Sequence, residues 1–218
     1  MHGDNFKFNS ESALVAPCFE ISPSRELTPG PGVQIRPFRD DDAPALYTAA
    51  RESLDDLCAW MTWCRRDYGV EHARSFIASA SSAWNACREF SFAIVDGADG
   101  AFLGSVGISQ INRMHNLANL GYWVRRTCIG RGIASMAVPQ AAKFAFQHAA
   151  LNRLELLIPV GNNASRRVAL KAGAHEEGIL RNRLLLAGKL HDAILYSLIP
   201  EDLQPQEQHQ RELVMLGV

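Results

Sequence analysis

The chain has no surplus of charge of either sign: 22 Lys+Arg stand against 23 Asp+Glu, a formal net charge of -1. Nucleic-acid binding draws on a basic excess that displaces counterions, so that function class is excluded. No apolar run reaches the roughly 20 residues that a membrane-spanning helix needs, and Met1-His2-Gly3-Asp4-Asn5 lacks the basic flank and apolar stretch of a secretory signal. Cysteine is scarce. The five, at positions 18, 58, 64, 87 and 128, form no Cys-x-x-Cys pair, and such an odd, scattered set predicts reduced thiols rather than a disulfide framework. The seven histidines show neither His-x-x-x-His nor His-Glu-x-x-His spacing, so no metal is expected. What is there is ordinary: 218 residues, 47% hydrophobic and 21% charged, the make-up of one cytoplasmic globular domain.

Two polar segments flank that domain. Residues 1–32 are interrupted by Pro17, Pro23 and the breaker Pro29-Gly30-Pro31-Gly32, and read as an N-terminal tail or arm. Residues 200–218 carry too few apolar positions to bury a face and read as a C-terminal tail. Between them, over 33–199, strand and helix periods alternate. Val33 to Phe38 alternates as a strand, and Asp40-Asp41-Asp42-Ala43-Pro44 opens a helix whose apolar face runs from Leu46 through Leu54 to Leu57. A second helix carries Ala73, Phe76, Ile77, Ala80 and Trp84. Strands are expected at Phe90 to Val95, Phe102 to Gln110 and Asn119 to Val124, the first two joined as an antiparallel hairpin by Asp96-Gly97-Ala98-Asp99-Gly100. A long helix follows from Gly132 to His148, with a kink expected at Pro139. Then come a strand at Leu154 to Val160, a short helix at Asn162 to Ala172, and strands at His175 to Leu180 and His191 to Leu198. The order β-α-α-β-β-β-α-β-α-β-β describes an α/β (α+β) domain: a mixed sheet with helices on both faces.

The sharpest local feature is Val124-Arg125-Arg126-Thr127-Cys128-Ile129-Gly130-Arg131-Gly132-Ile133-Ala134, where a strand ends and the longest helix begins. Gly130 and Gly132 let the backbone turn tightly. The N–H groups it then presents, with the helix dipole, suit a phosphate. Arg125, Arg126 and Arg131 add mobile positive charge. A plain strand-to-helix turn would also use these glycines. A Walker loop is excluded because no Gly-Lys-Ser/Thr follows, and Ser135 stands where a Rossmann fingerprint needs its third glycine. About thirty residues on, a second strand-loop-helix unit, Gly161-Asn162-Asn163-Ala164-Ser165, is expected beside the first, forming one cleft at the strand C-termini.

Four blocks, in order, carry a resemblance: Leu57-Cys58-Ala59-Trp60-Met61-Thr62-Trp63; Leu120-Gly121-Tyr122-Trp123-Val124 leading into the glycine loop; Asn162 to Ser165 with Lys171-Ala172-Gly173; and Gly188-Lys189-Leu190-His191-Asp192 through Tyr196-Ser197-Leu198. With them the sequence resembles the GNAT superfamily of acyl-CoA-dependent N-acetyltransferases, in the branch of ribosomal-protein N-terminal acetyltransferases (RimJ/RimL-like). The resemblance implies a mostly antiparallel GNAT fold whose sheet splays to admit acetyl-CoA. Tyr122, Trp123 and Val124 would pair with the pantetheine arm, Arg125, Arg126 and the amides of Ile129 to Ala134 would hold the pyrophosphate, and Asn162 and Ser165 would complete the cofactor site.

Ser165 is the implied acid for the leaving thiolate; its other reading is a first-turn helix residue meeting backbone donors. Trp60, Trp63, His115, Asn119, Arg183, His191 and Asp192 are implied on the acceptor side. For Trp60 and Trp63 the alternative is core packing, and for His191 and Asp192 it is pairing across the sheet. The sequence departs from the family at Thr127, Asn119 and Leu184, where Gln or Arg, a carboxylate and a glutamate are usual. No general base is thereby identified. The implied acceptor is the α-amine of a protein or peptide. Small amines, a non-catalytic CoA-binding module and a homodimer remain open.

Overall fold

The computed structural model describes residues 32–203. The tail expected over 1–32 lies, except for Gly32, outside the described residues, as does most of 200–218. The fold continues slightly past the expected boundary. Pro200–Leu203 forms a 3-10 turn, braced by the Ile199 N–H donating to Asp202, and Leu203 packs against the core.

Among the described residues, seven strands form one sheet: β1 (Val33–Pro37), β2 (Phe90–Asp96), β3 (Phe102–Asn112), β4 (Leu117–Val124), β5 (Arg153–Pro159), β6 (His175–Leu186) and β7 (Lys189–Leu198). Their spatial order is β1-β2-β3-β4-β5-β7-β6, and every pairing is antiparallel except β4 with β5. The helices are α1 (Ala43–Glu52), α2 (Leu54–Trp60), α3 (Val70–Asn85), α4 (Ile133–Gln147) and α5 (Asn163–Lys171). None of the described helices is long and apolar enough to cross a membrane.

Strand alternation divides the apolar residues between two faces. On one face, Phe90, Phe92, Ile94, Ala118, Leu120, Leu154, Leu156 and Ile158 meet Ala137, Val138, Ala141 and Phe144 of α4. Trp84, at the end of α3, joins this cluster with its ring centroid 5.0 Å from that of Phe92 and 5.5 Å from that of Phe144. On the other face, Ala93, Val95 and Phe102 are covered by Leu46, Ala49 and Ala50 of α1 and Ala73 and Ile77 of α3. Each fully buried large side chain contributes about 1.5–3 kcal/mol, so these layers hold the sheet that positions the site. α4 runs unbroken through Pro139.

One expected helix is two. The apolar spacing from Leu46 to Leu57 spans a break at Ser53, whose backbone leaves the helical region at φ -104, ψ 5. The buried Ser53 hydroxyl donates to the Ala49 carbonyl at 2.7 Å and accepts the Arg126 N–H at 2.9 Å. A long-range bond thus falls where the periodicity reads straight through.

The candidate active site

β4 and β5 pair over three rungs, Leu117 with Arg153, Ala118 with Leu154 and Asn119 with Glu155, and then part. β4 stays with β3 as far as Val124, while β5 stays with β7 as far as Pro159. The two strands therefore open into a fork, and among the described residues the β5-facing edge of β4 from Leu120 to Val124 has no strand partner. Which groups face the opening follows from the ladder. The Arg125 N–H goes to the Leu103 carbonyl at 2.8 Å, so antiparallel alternation turns the backbone groups of Trp123 toward β3 and those of Tyr122 and Val124 into the fork. Backbone polar groups left this way demand a partner.

At the end of β4 the chain makes a short 3-10 turn, Arg126–Cys128, and enters α4 through Gly130 (φ 82) and Gly132 (φ 76). A side chain would be strained at both positions, and among the described residues the space beside each glycine is open, with no atom within 4 Å of an added Cβ. Gly132 is the N-cap of α4 and offers no side-chain acceptor, so the first amides of the helix keep their N–H groups free of a capping side chain. Open space, left-handed glycines and uncapped amides together make a cradle for an anionic group.

The arginines of the loop behave unlike the expected mobile charges. Arg125 is pinned: its Nε and Nη2 donate to the two Glu52 carboxylate oxygens at 2.7 and 2.8 Å. The same carboxylate accepts from the Thr127 hydroxyl at 3.0 Å. These donors hold Glu52 well below the usual carboxylate range, at about 2, the Arg125 pair being the largest cause. Arg126 lies 3.6 Å from Asp56, and Arg131 lies 3.6 Å from the Cys128 sulfur. Glu52 and Ser53 thereby clamp the loop to the α1–α2 junction. Sequence reading missed both, since neither belongs to a motif.

Across the fork, Asn162 caps α5, its Oδ1 accepting the Ser165 N–H at 3.0 Å. The Ser165 Oγ lies 2.8 Å from the Tyr122 Oη, and Tyr122 also donates to the Ser165 carbonyl at 3.0 Å. This contact links β4 to α5 over the opening. Burial pushes the Tyr122 phenol up to about 12, against the opposing effect of the Ser165 hydrogen bond.

Of the residues expected on the acceptor side, Trp60 and Trp63 are 37% and 43% exposed. Trp60 ends α2 against Gly161, where an added Cβ would sit 3.6 Å from its ring. Trp63 packs near Trp123 and Tyr68, at centroid distances of 6.3 and 6.1 Å. The turn carrying both tryptophans is closed by a Cys58–Cys64 disulfide, which corrects the expectation of reduced thiols. After α2 the chain doubles back, Met61 N–H to the Leu57 carbonyl and Cys64 N–H to the Met61 carbonyl, bringing the two Cα atoms to 4.9 Å. A search for two-residue spacings does not find a five-residue one. Among the described residues Cys128 is a free, buried thiol. A cavity of about 620 Å³ lies between this turn, with Cys58, Met61 and Thr62, and the β6–β7 turn, with Leu185, Ala187 and Gly188.

The β7 residues divide. Asp192 Oδ1 accepts the Asn182 N–H at 2.8 Å, bracing a bulge where β6 slips register between Leu180 and Leu184, and its carbonyl accepts the Val160 N–H at 3.2 Å, beside Gly161 and Trp60. His191 is exposed and stands opposite Leu184, and Arg183 is exposed in the bulge. Asn119 sits on the last rung of the fork. His115 is not brought to this cleft. It lies in the turn before β4, at the opposite end of the strand from the glycine loop, its N–H donating to the Asn112 side chain. The resemblance had implied it on the acceptor side, but a strand carries its two ends apart by about 3.3 Å per residue.

Residues 33–175 match the family described as Acetyltransferase (GNAT) domain. The chain is 31% identical over 179 residues to Bacillus subtilis (strain 168) "Probable N-acetyltransferase YjcK", covering 80% of this chain and 98% of the relative. It is 30% identical over 97 residues to the Escherichia coli (strain K12) ribosomal-protein-serine acetyltransferase, covering 44% of this chain. In such shorter alignments the chain spans little more than half the length of the curated relatives, 57% and 54%. Among solved structures, Mycobacterium smegmatis RimJ in complex with CoA-disulfide superposes with a TM-score of 0.74 at 28% identity, over 87% of this chain and 91% of that one. Residues that form the fork and the glycine loop lie inside the matched segment: the chain belongs to the GNAT acetyltransferases and is an enzyme of the N-acetyltransferase type.

Proposed function

We propose that this enzyme transfers the acetyl group of acetyl-CoA to the N-terminal α-amine of a protein or peptide. The observation that carries the cofactor half is the fork, because unpaired β4 backbone and uncapped α4 amides occur together at its opening. The residues present fit acetyl-CoA: the free β4 edge at Tyr122 and Val124 suits an amide-bearing arm, and the amides from Gly130 to Ala134 suit its pyrophosphate. When bound, acetyl-CoA supplies an activated acyl group.

The chain's own groups supply the rest. The Val124 N–H is a fixed donor facing the fork, suited to a developing oxyanion. Ser165 holds a proton at Oγ on the far side of the opening, the position for returning one to a leaving thiolate. An α-amine has a pKa of about 7.7–8.0 and is partly neutral at cellular pH, so the chemistry does not demand a strong base. The α-amine reading of the acceptor rests on the ribosomal-protein-serine acetyltransferase relative, with the two partly exposed tryptophans, Trp60 and Trp63, as candidate walls for the incoming chain end.

Two measurements test this. Gly130→Val, which forces a branched side chain onto a left-handed residue beside the cradle, is expected to raise the dissociation constant for acetyl-CoA at least tenfold, about 1.4 kcal/mol; unchanged affinity would remove the loop from the cofactor site. Mass spectrometry of a peptide panel incubated beside amino-bearing small molecules should find acetyl groups on peptide N-termini. Turnover of the small amines alone would overturn the acceptor assignment.

A further inference from the structure

The hydroxyl pair at the fork has two proton arrangements. Tyr122 Oη carries one proton and has two acceptors in reach, the Ser165 carbonyl at 3.0 Å and the Ser165 Oγ at 2.8 Å. When the Tyr122 proton points to the carbonyl, the Oγ contact survives only if Ser165 donates to Tyr122, and the serine proton is then turned toward β4. When the Tyr122 proton points to Oγ, Ser165 is held as an acceptor and its own proton is released to donate elsewhere. The carbonyl loses little by the exchange, since inside a helix it also accepts the N–H four residues on.

We infer that Tyr122 is a positioning residue for Ser165: by moving its own proton from the Ser165 carbonyl to Oγ, it turns the serine hydroxyl from β4 into the fork. The inference rests on the reading of Ser165 given above and assigns Tyr122 a role beyond contact with the cofactor. Three observations support it. The pair joins residues on opposite branches of the fork, β4 and α5, so its geometry is set where the branches part. The Asn162 cap fixes the Ser165 backbone, leaving the hydroxyl torsion as the adjustable element. The phenol, held neutral by burial, keeps its proton through the physiological range and acts as a donor throughout. A hydroxyl that accepts one hydrogen bond also donates more strongly in the next, through mutual polarisation along the chain.

The test uses the full chain with CoA and a readout separate from turnover, the pH at which the thiol of bound CoA ionises, followed by ultraviolet absorption of the thiolate. A hydroxyl donating to the sulfur stabilises the thiolate. Ser165→Ala is therefore expected to raise that ionisation pH by roughly one unit, tenfold in the equilibrium. Tyr122→Phe, which keeps the ring and its packing, is expected to move it about half a unit in the same direction. It should lower kcat with a peptide acceptor about tenfold, leave the CoA dissociation constant within about twofold, and add nothing in a Ser165→Ala background. Ser165→Thr, which keeps a hydroxyl, should restore the sensitivity to Tyr122→Phe. An ionisation pH unchanged by Tyr122→Phe, or a shift as large without Ser165 as with it, would overturn the inference while the Ser165→Ala result stands. No effect of Ser165→Ala, or no binding of CoA to the unaltered chain, would remove the underlying reading and the inference with it.

Discussion

Two regions around the fork are built from different material. The β4 side is backbone: a free strand edge, two left-handed glycines and the uncapped start of α4, backed by buried core and clamped through Glu52 and Ser53. The α2 and β6–β7 side is made of side chains on two turns, with Trp60, Trp63, Leu185 and Leu190 all more than a third exposed and a cavity between the turns. Backbone geometry tolerates few sequences and, on the proposed function, suits a part common to every donor molecule. Side chains on turns can be exchanged without disturbing the sheet, which suits the part of the reaction that varies, the acceptor. Substitutions on the β4 side should therefore act mainly on folding and cofactor affinity, and those on the other side on the acceptor.

The sharpest way to break the contrast is Gly104→Ala. Gly104 faces Val124 across the β3–β4 ladder at φ 156, and an added Cβ would lie 2.2 Å from the Trp123 carbonyl oxygen and 3.0 Å from the Val124 Cα. Both obstacles are backbone, so the strands must separate. The expected loss is about 3 kcal/mol or more, roughly a 10 °C fall in melting temperature. Gly107→Ala, three residues along the same strand and meeting only contacts of 3.7 Å or longer, should stay within about 0.5 kcal/mol. Equal effects of the two in thermal melts would mean that close approach at the β4 terminus does not set the shape of the fork.

The same division explains what was legible in the sequence. Strand alternation and helical spacing located all seven strands and the long helix, because burial imposes a period on consecutive residues. The glycine loop was legible because the backbone itself needs those glycines. The break at Ser53 was not, since its cause is the Arg126 N–H, 73 residues away. Nor was the Glu52–Arg125 pair, which ties up a charge that the motif had suggested would be mobile beside the glycine loop. Between β6 and β7, the bulge that directs Asp192 to the Asn182 N–H shifts every later residue of β6 against β7. A gap-free reading cannot anticipate such a shift. His115 marks the same limit from the other direction, being close in sequence to the fork and at the wrong end of its strand.

The Cys58–Cys64 disulfide tests the acceptor side alone. It ties the end of α2 to the turn beyond Trp63 across a sequence separation of 6, and closing so short a loop stabilises a chain by about 2 kcal/mol in the entropic account. Cys58→Ser should lower stability by up to that amount in a denaturant titration. It should also raise the acceptor KM several-fold, because the indoles lose their fixed bearing, while the dissociation constant for acetyl-CoA stays within about twofold. A parallel loss of cofactor affinity would show that the two sides are not separable at this turn.

The smallest expected effect comes from Glu52→Gln, and it sharpens the comparison through its pH dependence. The Glu52 carboxyl titrates at about 2 in the fold against an ordinary 4.5, chiefly because Arg125 donates to it. A carboxyl depressed on folding contributes stability that is present in full above the ordinary value and is lost as pH falls from about 4.5 through about 2. The pair is partly open to solvent, with 25% of the Glu52 side chain exposed, so screening reduces the contribution to about 1 kcal/mol. Glu52→Gln should therefore be less stable than the unaltered chain by about that amount at pH 7, with the difference shrinking as the solution is acidified below pH 4.5. High salt should shrink it as well. Because the neutral amide of the variant would no longer hold the Arg125 guanidinium by charge, the glycine loop should loosen and the dissociation constant for acetyl-CoA rise by about threefold, with the acceptor KM unchanged. A stability difference that persists undiminished toward pH 3 would mean that Glu52 acts by packing rather than by charge, and that the loop is held by Ser53 alone.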